Sequence, residues 1–410
     1  MLGQKRWRLV VYIVVTVVVI MMGVFLTSVS KFPEWTGING KTAWDFTEVV
    51  ILPIALAVII YFLNKRQKET EIKLADQQRE TEIKLADQQR EADKKLSENR
   101  LQESELQAFY DRMSGLLLEH KPSASSKEAR SVARARTITV LRNLDSARKQ
   151  AVFQFLFDAG LLNKENNIVN LEGASIEDMQ FVRLKIDNIL LSRLRLSNAY
   201  FTNSVFQFCD FSYSNISSAK FISVSFLDCN FDHATLCDTQ AKQFHGVRSS
   251  FVASKLSGSD FAGANLPNTK FDEAEMQGIN LESAYLFNSS LKNTNLRGAK
   301  LEKTNLQQVD LFGANMDGAV LTSAIAPNTN FFLTSLREAN LQNANLQLSN
   351  LKQAILQGAI LTNANLEDAN LEGANLVGAD LTNAKLVGAQ LTGITYDETT
   401  IWPAGFTPNN

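Results

Sequence analysis

A β-solenoid, a chain that coils in short extended segments, accounts for just over half of this 410-residue sequence. Three observations predict it. From Leu171 to Leu391 every fifth residue is a centre, forty-five in all, and each is Leu, Ile, Phe or Met except Ala241, Gly246 and Ala326. Two residues before each centre stands mostly Ala, Ser, Thr or Cys, as in Ala364-Asn365-Leu366 and Ala374-Asn375-Leu376. The other positions are largely polar. A period of five fits neither the 3.6 of a helix nor the 2 of a strand, so each unit must be a short extended piece followed by a turn.

If four units close one coil, the centre and the small residue two before it both point inwards, and the residue between them faces out. Asn265, Asp310, Asn375 and Lys385 hold that outer position. Residues twenty apart then stack, and Leu191, Phe211, Phe231, Phe251, Phe271 and Leu291 belong to one interior ladder. Each coil touches only its neighbours, so both ends need caps. Cys209 and Cys229 take the small inward site on adjacent coils, where a reduced thiol is an apolar filler. Cys237 follows a centre and is expected outside. Gly246 and Ala326 lie eighty residues apart on one face, with Pro327 following, and read either as a loosened corner or as an entry point for a ligand or partner loop.

The pattern resembles the pentapeptide-repeat family, Ala-(Asp/Asn)-Leu-X-X. The resemblance implies a mainly β fold, a right-handed quadrilateral β-helix of about eleven coils over residues 163–391. A tail over 392–410, with Trp402 and Phe406, looks like the ending common in such arrays and is expected to cover the last coil.

The chain begins with an apolar run over 9–27 behind Lys5, Arg6 and Arg8, long enough to span a bilayer and without a small-residue cleavage site. A second run over about 45–63 stops at Asn64-Lys65-Arg66-Gln67-Lys68. Residues 1–68 are thus expected to form a transmembrane hairpin. Positive residues flank the outer ends of both spans, which places both termini in the cytoplasm of a bacterial inner membrane. Over 69–100 the unit Glu-Thr-Glu-Ile-Lys-Leu-Ala-Asp-Gln-Gln-Arg appears at 69–79 and again at 80–90. Glu69, Glu80 and Glu91 each precede a Lys by four, which supports a helix. Ile72 and Leu74 lie about 200° apart on its wheel, so the seam is thin. The helix is a solvated spacer or a coiled coil that joins copies of the chain.

Residues 101–162 read as a small helical bundle. Leu106, Phe109, Tyr110, Met113, Leu116 and Leu117 form one apolar face, and a break falls at Lys121-Pro122-Ser123. Ser125 and Glu128 make a capping box. Val132, Ala135, Ile138, Leu141 and Leu144 form the next face, and Gly160 closes a last helix placed to cap the solenoid. The whole layout looks like the membrane-anchored members of the family in bacteria, cyanobacteria especially, for which the resemblance implies no activity.

No phosphate-binding loop, dinucleotide fingerprint, metal-ligand spacing or nucleophile elbow is present, so no enzyme activity and no cofactor are expected. Some members of the family mimic duplex DNA and bind type II topoisomerases. Here Asp and Glu number 21 against 16 Lys and Arg between 171 and 391, which is weakly acidic for such a mimic, and nucleic acid is not an expected partner either. Two candidate interaction sites remain. Phe312, Phe332 and Leu333 follow inward centres and should sit together on the surface. Arg130, Arg134, Arg136 and Arg142 lie in a basic stretch that reads as a solvated helix face or as a contact for an anionic ligand or lipid headgroups. The expected function is a non-enzymatic scaffold, anchored to the lipid bilayer, that presents a rigid surface to a cytoplasmic protein. The alternatives are a membrane effector or sensor acting through the hairpin, and a charge-mimic regulator of a nucleic-acid enzyme.

Overall fold

The structure, a computed structural model, describes residues 16, 52–119, 127–165 and 168–408. Apart from Thr16, the expected first span lies outside the described residues, as do the start of the second, the Lys121-Pro122-Ser123 break and Ser125 of the capping box. Two compact units divide between Ser97 and Glu98.

Helix α1 (Leu52–Glu119) runs for 68 residues without a break. It passes through positions 68/69 and 100/101, where the composition changes, because Glu, Lys, Gln, Arg, Ala and Leu on both sides are all strong helix formers. The pairs Glu80–Lys84 and Glu91–Lys95 close at 2.8 and 3.3 Å as the spacing predicts. Among the described residues no helix is long and apolar enough to cross a membrane.

In the second unit the end of α1 packs with α2 (Lys127–Asn143) and α3 (Ser146–Asp158). Leu106, Phe109 and Met113 of α1 are buried, as the apolar spacing predicts. The buried stripe of α2 is rotated from the expected one. Ala133, Thr137 and Leu141 point inwards, whereas Val132 and Ala135 are exposed. Thr137 is tolerated inside because its hydroxyl donates to the Ala133 carbonyl at 2.8 Å. Asp145 caps α3 by accepting from the Arg148 amide at 2.9 Å, and Gly160 leaves the helix at φ 66°. Helices α2 and α3 then seal the first coil: Phe153 meets the Phe181 ring edge-on at 5.3 Å, and Ser146 Oγ donates to Asp178 O at 2.7 Å.

The repeat array pairs every coil in parallel with the residue twenty further on. On one face β1 (Gln180–Val182), β3 (Tyr200–Thr202) and β5 (Lys220–Ile222) align Phe181, Phe201 and Phe221. On the next, β2 (Lys185–Asp187), β4 (Val205–Gln207) and β6 (Ser225–Leu227) align Ile186, Phe206 and Phe226. Elsewhere single bridges continue the register through to Asp380↔Ile401. Buried centres and small residues form one continuous core. The ladder Phe211–Phe231–Phe251–Phe271 stacks at 5.0, 4.7 and 5.0 Å.

The five-residue period has a backbone cause that side-chain pattern alone does not reveal. The second residue after each centre is held in the left-handed region, at φ near 55–60° for Asn198, Asn343 and Asn363 and at 65° for Gly313. Single residues in this conformation turn the corner, and Asn and Gly accept it at least cost. In most units the fourth residue closes the turn, as when the Ala364 amide donates to Leu361 O at 2.9 Å. The array ends with a one-residue slip, since Asp380 bridges Ile401 rather than residue 400. Thr400 Oγ1 donates to Leu376 O at 2.9 Å, and Trp402 packs between Tyr396 and Phe406 at 5.5 and 5.4 Å, all three partly buried against the core.

Gly246 is not a loosened corner. Phe244, two residues earlier in the site normally given to Ala or Ser, is buried and fills the interior between Phe221, Phe226 and Phe261. A Cβ on residue 246 would lie 2.6 Å from the Phe244 ring and 2.8 Å from Leu266. Large and small have exchanged places within one unit, and packing is kept. Ala326 is likewise fully buried, and the next centre is the bulky, fully buried Phe331.

Candidate functional site

The coil register assigns every surface side chain to a column with a twenty-residue step. Phe312 and Phe332 occupy one column with their rings 5.6 Å apart and tilted by 51°. Both are half-buried rather than free, because each lies along its own corner, while Leu333, in the left-handed corner position, is 46% exposed. The corners beneath them are tied: Asp310 Oδ1 accepts from the Phe312 amide at 3.1 Å and Asn330 Oδ1 from the Phe332 amide at 3.2 Å. Asn330 Nδ2 also donates to Asp310 at 2.8 Å, and Asn350 Nδ2 to Asn330 at 2.9 Å. The three candidate residues therefore do come together, on a rigid support.

The basic stretch separates into parts. Arg134 takes part in the fold, since its Nε donates to Asn170 O at 3.1 Å and its Nη2 to Glu172 O at 2.8 Å, which ties α2 to the first coil. Arg130 and Arg142 stand apart from it without an ion pair among the described residues. Arg136 lines a cavity of about 220 Å³ together with Phe109, Arg112, Ala135, Thr139 and Val140.

Two surface features escaped the sequence reading. One face, from Asn265 to Leu348, carries no Asp, Glu, Lys, Arg or His in its outward and corner positions over five successive coils. It presents Tyr285 stacked on Phe287 at 6.0 Å, with Ile325, Pro327 and Leu348. Tyr285, Ile325 and Leu348 are 41–52% exposed. The second is a corner column in which Glu172 pairs with Arg193 at 3.1 Å, Arg193 lies 4.9 Å over the Tyr213 ring, and Tyr213 stacks on His233 at 4.6 Å. Both become visible only when residues are read down columns of twenty.

Charge elsewhere on the array is matched between coils. Arg248 meets Asp228 through two bonds of 2.8 and 2.7 Å, and that guanidinium holds the Asp228 carboxyl below the usual carboxylate range. Lys352–Glu372 and Lys292–Asp310 pair at 2.8 and 3.2 Å. Such exposed pairs each add about 0–1 kcal/mol, but together they leave no single-sign field. Cys209 and Cys229 are buried as expected, and burial pushes the Cys229 thiol up, so it remains a protonated filler. Cys237 is half-buried. Among the described residues no group of His, Cys, Asp or Glu could hold a metal ion.

A parallel solenoid with five-residue units, filled by Leu and Phe, with helices at one end and an aromatic tail at the other, defines the class of repeat proteins with a pentapeptide β-solenoid. The family model for pentapeptide repeats matches in eight copies over 189–226, 249–286, 289–325, 314–353, 329–368 and 359–395. The chain belongs to the pentapeptide-repeat family.

Three solved structures illustrate the likeness. HetL, a pentapeptide-repeat protein involved in heterocyst differentiation regulation from the cyanobacterium Nostoc sp. strain PCC 7120, is 26% identical over 61% of this chain and 98% of its own, with a TM-score of 0.33. Alr5209 from Nostoc PCC 7120 is 32% identical over 28% of this chain and 77% of its own, with a TM-score of 0.17. QnrB1, a plasmid-mediated fluoroquinolone resistance protein, is 24% identical over 55% of this chain and 92% of its own, with a TM-score of 0.20. No curated protein matches the chain.

Proposed function

We propose that this chain is a non-enzymatic scaffold, held at the inner membrane by residues 1–68, whose right-handed rod of about eleven coils offers a rigid face to a cytoplasmic protein. The observation that carries the reading is the filled interior. With every centre from Leu171 to Leu381 buried, and Phe244 filling the space that Gly246 leaves, the array has no cleft in which a substrate could be surrounded or a carboxylate desolvated. Recognition is left to outward side chains. The half-buried Phe312–Phe332 pair with Leu333, and the charge-free face with Tyr285 and Ile325, are apolar areas of a surface rich in Asn, Gln, Thr and paired charge, on which Phe208, Ile222, Ile360 and Val387 are also exposed.

The charge-matched coils argue against mimicry of a nucleic acid, which needs a sustained field of one sign. The test is affinity capture of the full chain from detergent-solubilised membranes after crosslinking, with identification of crosslinked peptides by mass spectrometry. Capture of a protein crosslinked to the coils between Tyr285 and Leu348 is the expected result, and crosslinks confined to other surfaces would overturn the reading.

Two further outcomes follow. Changing Phe312 and Phe332 together to Ser is expected to leave the circular dichroism spectrum unchanged, because the interior ladder Leu311–Phe331 is untouched, while partner capture falls at least tenfold. Equal capture by the double variant would remove this pair from the interface. For topology, a periplasm-active reporter fused after Asn410 is expected to be silent and a cytoplasm-active one to be bright, since Lys5, Arg6 and Arg8 and the cluster Lys65, Arg66 and Lys68 flank the two expected spans on the same side. The opposite pattern would reverse the orientation.

A further inference from the structure

Helix α1 carries a second pattern beneath its verbatim repeat. Reading from Leu52 in steps of four, three and four gives Leu52, Leu56, Ile59 and Leu63, then Gln67, Thr70 and Leu74, then Gln78, Thr81 and Leu85, then Gln89, Ala92 and Leu96. Leucine returns every eleven residues, five times in succession. No position on the stripe is charged, although Asp, Glu, Lys and Arg are dense everywhere else on the helix from Lys65 to Glu98. Eleven residues are three turns plus about 20°, so the stripe stays on one side with a slow drift that a right-handed supercoil removes.

Among the described residues nothing covers this stripe. Leu52, Leu63, Leu74, Leu85 and Leu96 are 50–64% exposed. Its two threonines are internally satisfied. Thr70 and Thr81 turn their hydroxyls back onto carbonyls of their own helix, Thr70 to Gln67 O at 2.7 Å and Thr81 to Gln78 O at 2.7 Å, so neither brings an unsatisfied donor. The charges that flank the stripe are satisfied along the helix by Glu80–Lys84 and Glu91–Lys95, off the stripe. Ile72 and Ile83 lie on the opposite side and stay in solvent.

We propose that this charge-free stripe is the contact through which α1 pairs in parallel and in register with α1 of a second copy of the chain. The occupant follows from the pattern. In such a pair Leu meets Leu, Gln meets Gln and Thr meets Thr at each level, so the surface is complementary to itself, and two copies bring no like charges together. Over 44 residues the stripe is about 66 Å long, and at about 10 Å wide it offers on the order of 700 Å² per helix, close to the roughly 800 Å² per partner of a stable interface. The pairing does not depend on the scaffold reading, since it concerns only how copies associate.

The full chain in detergent, with Cys237→Ser and the two other cysteines left in the core, tests it. Leu74→Cys and Leu85→Cys are expected to give a dimer band in high yield on mild oxidation, whereas Asp76→Cys and Asp87→Cys, off the stripe, give at least tenfold less. In parallel, light scattering on the double variant Leu74→Glu/Leu85→Glu should show the protein mass fall to that of one chain with helix content by circular dichroism unchanged. A monomeric mass for the unsubstituted chain, or equal crosslinking on and off the stripe, would overturn the proposal.

Discussion

Replacing Phe226 by Ala is expected to cost about 3–5 kcal/mol, felt chiefly in the coil that holds it and the coils on either side. Its ring is fully buried and meets six others: Phe206 stacks on it at 4.9 Å, Phe231 and Phe211 meet it edge-on at 5.0 and 5.6 Å, and Phe201, Phe221 and Phe244 lie at 6.0, 5.5 and 5.4 Å. Truncation leaves a void that stiff, hydrogen-bonded coils cannot close, and it removes several aromatic pairs each worth about 0.5–1.5 kcal/mol. Amide hydrogen exchange resolves the effect by position. Protection should fall in the coils from Phe206 to Phe251 and persist beyond Leu321. Gln240→Ala, exposed on the same coils, should stay within about 0.5 kcal/mol. Equal losses for the two variants would mean that the assignment of inward and outward positions is wrong.

Gly246→Leu, which restores the repeat consensus, is expected to destabilise rather than improve the array. The first added carbon already falls within 3 Å of Phe244 and Leu266, so a full Leu side chain must force the Phe244 ring or the coil apart, at about 1–3 kcal/mol or more. Phe244→Ala alone should also be costly, by about 3–5 kcal/mol, through the cavity it leaves. The double variant Phe244→Ala/Gly246→Leu rebuilds an ordinary unit and should recover most of both losses. Chemical denaturation of the four proteins gives the coupling directly, and additive losses would show that the two sites do not share one space.

This pair shows where sequence reading reaches its limit. The forty-five centres and the small residues before them made the solenoid and its twenty-residue register legible, because burial inside a coil imposes a strict pattern on side-chain size. The same pattern made Gly246 look like a defect. Only the packed interior shows that a neighbouring position holds the missing volume, since size is conserved over the local space and not at each residue. Likewise Thr137 and not Val132 faces inwards on α2, because a back-bonded hydroxyl can be buried while the helix turns its face to match the first coil.

By itself the sequence determined the β-solenoid, the parallel stacking of Phe211 through Phe271, the inward cysteines and the meeting of Phe312 with Phe332. All of these follow from a period that repeats without a slip, and periodic burial is a one-dimensional signal. The tertiary structure alone decided the left-handed corners at positions such as Asn198 and Asn363, the bonding of Arg134 to the first coil, the exchange of Phe244 for Gly246, and the exposure of the leucine stripe on α1. Each of these depends on which distant backbone or side chain occupies the adjoining space, and contacts between segments are a property of three dimensions that spacing along the chain does not encode.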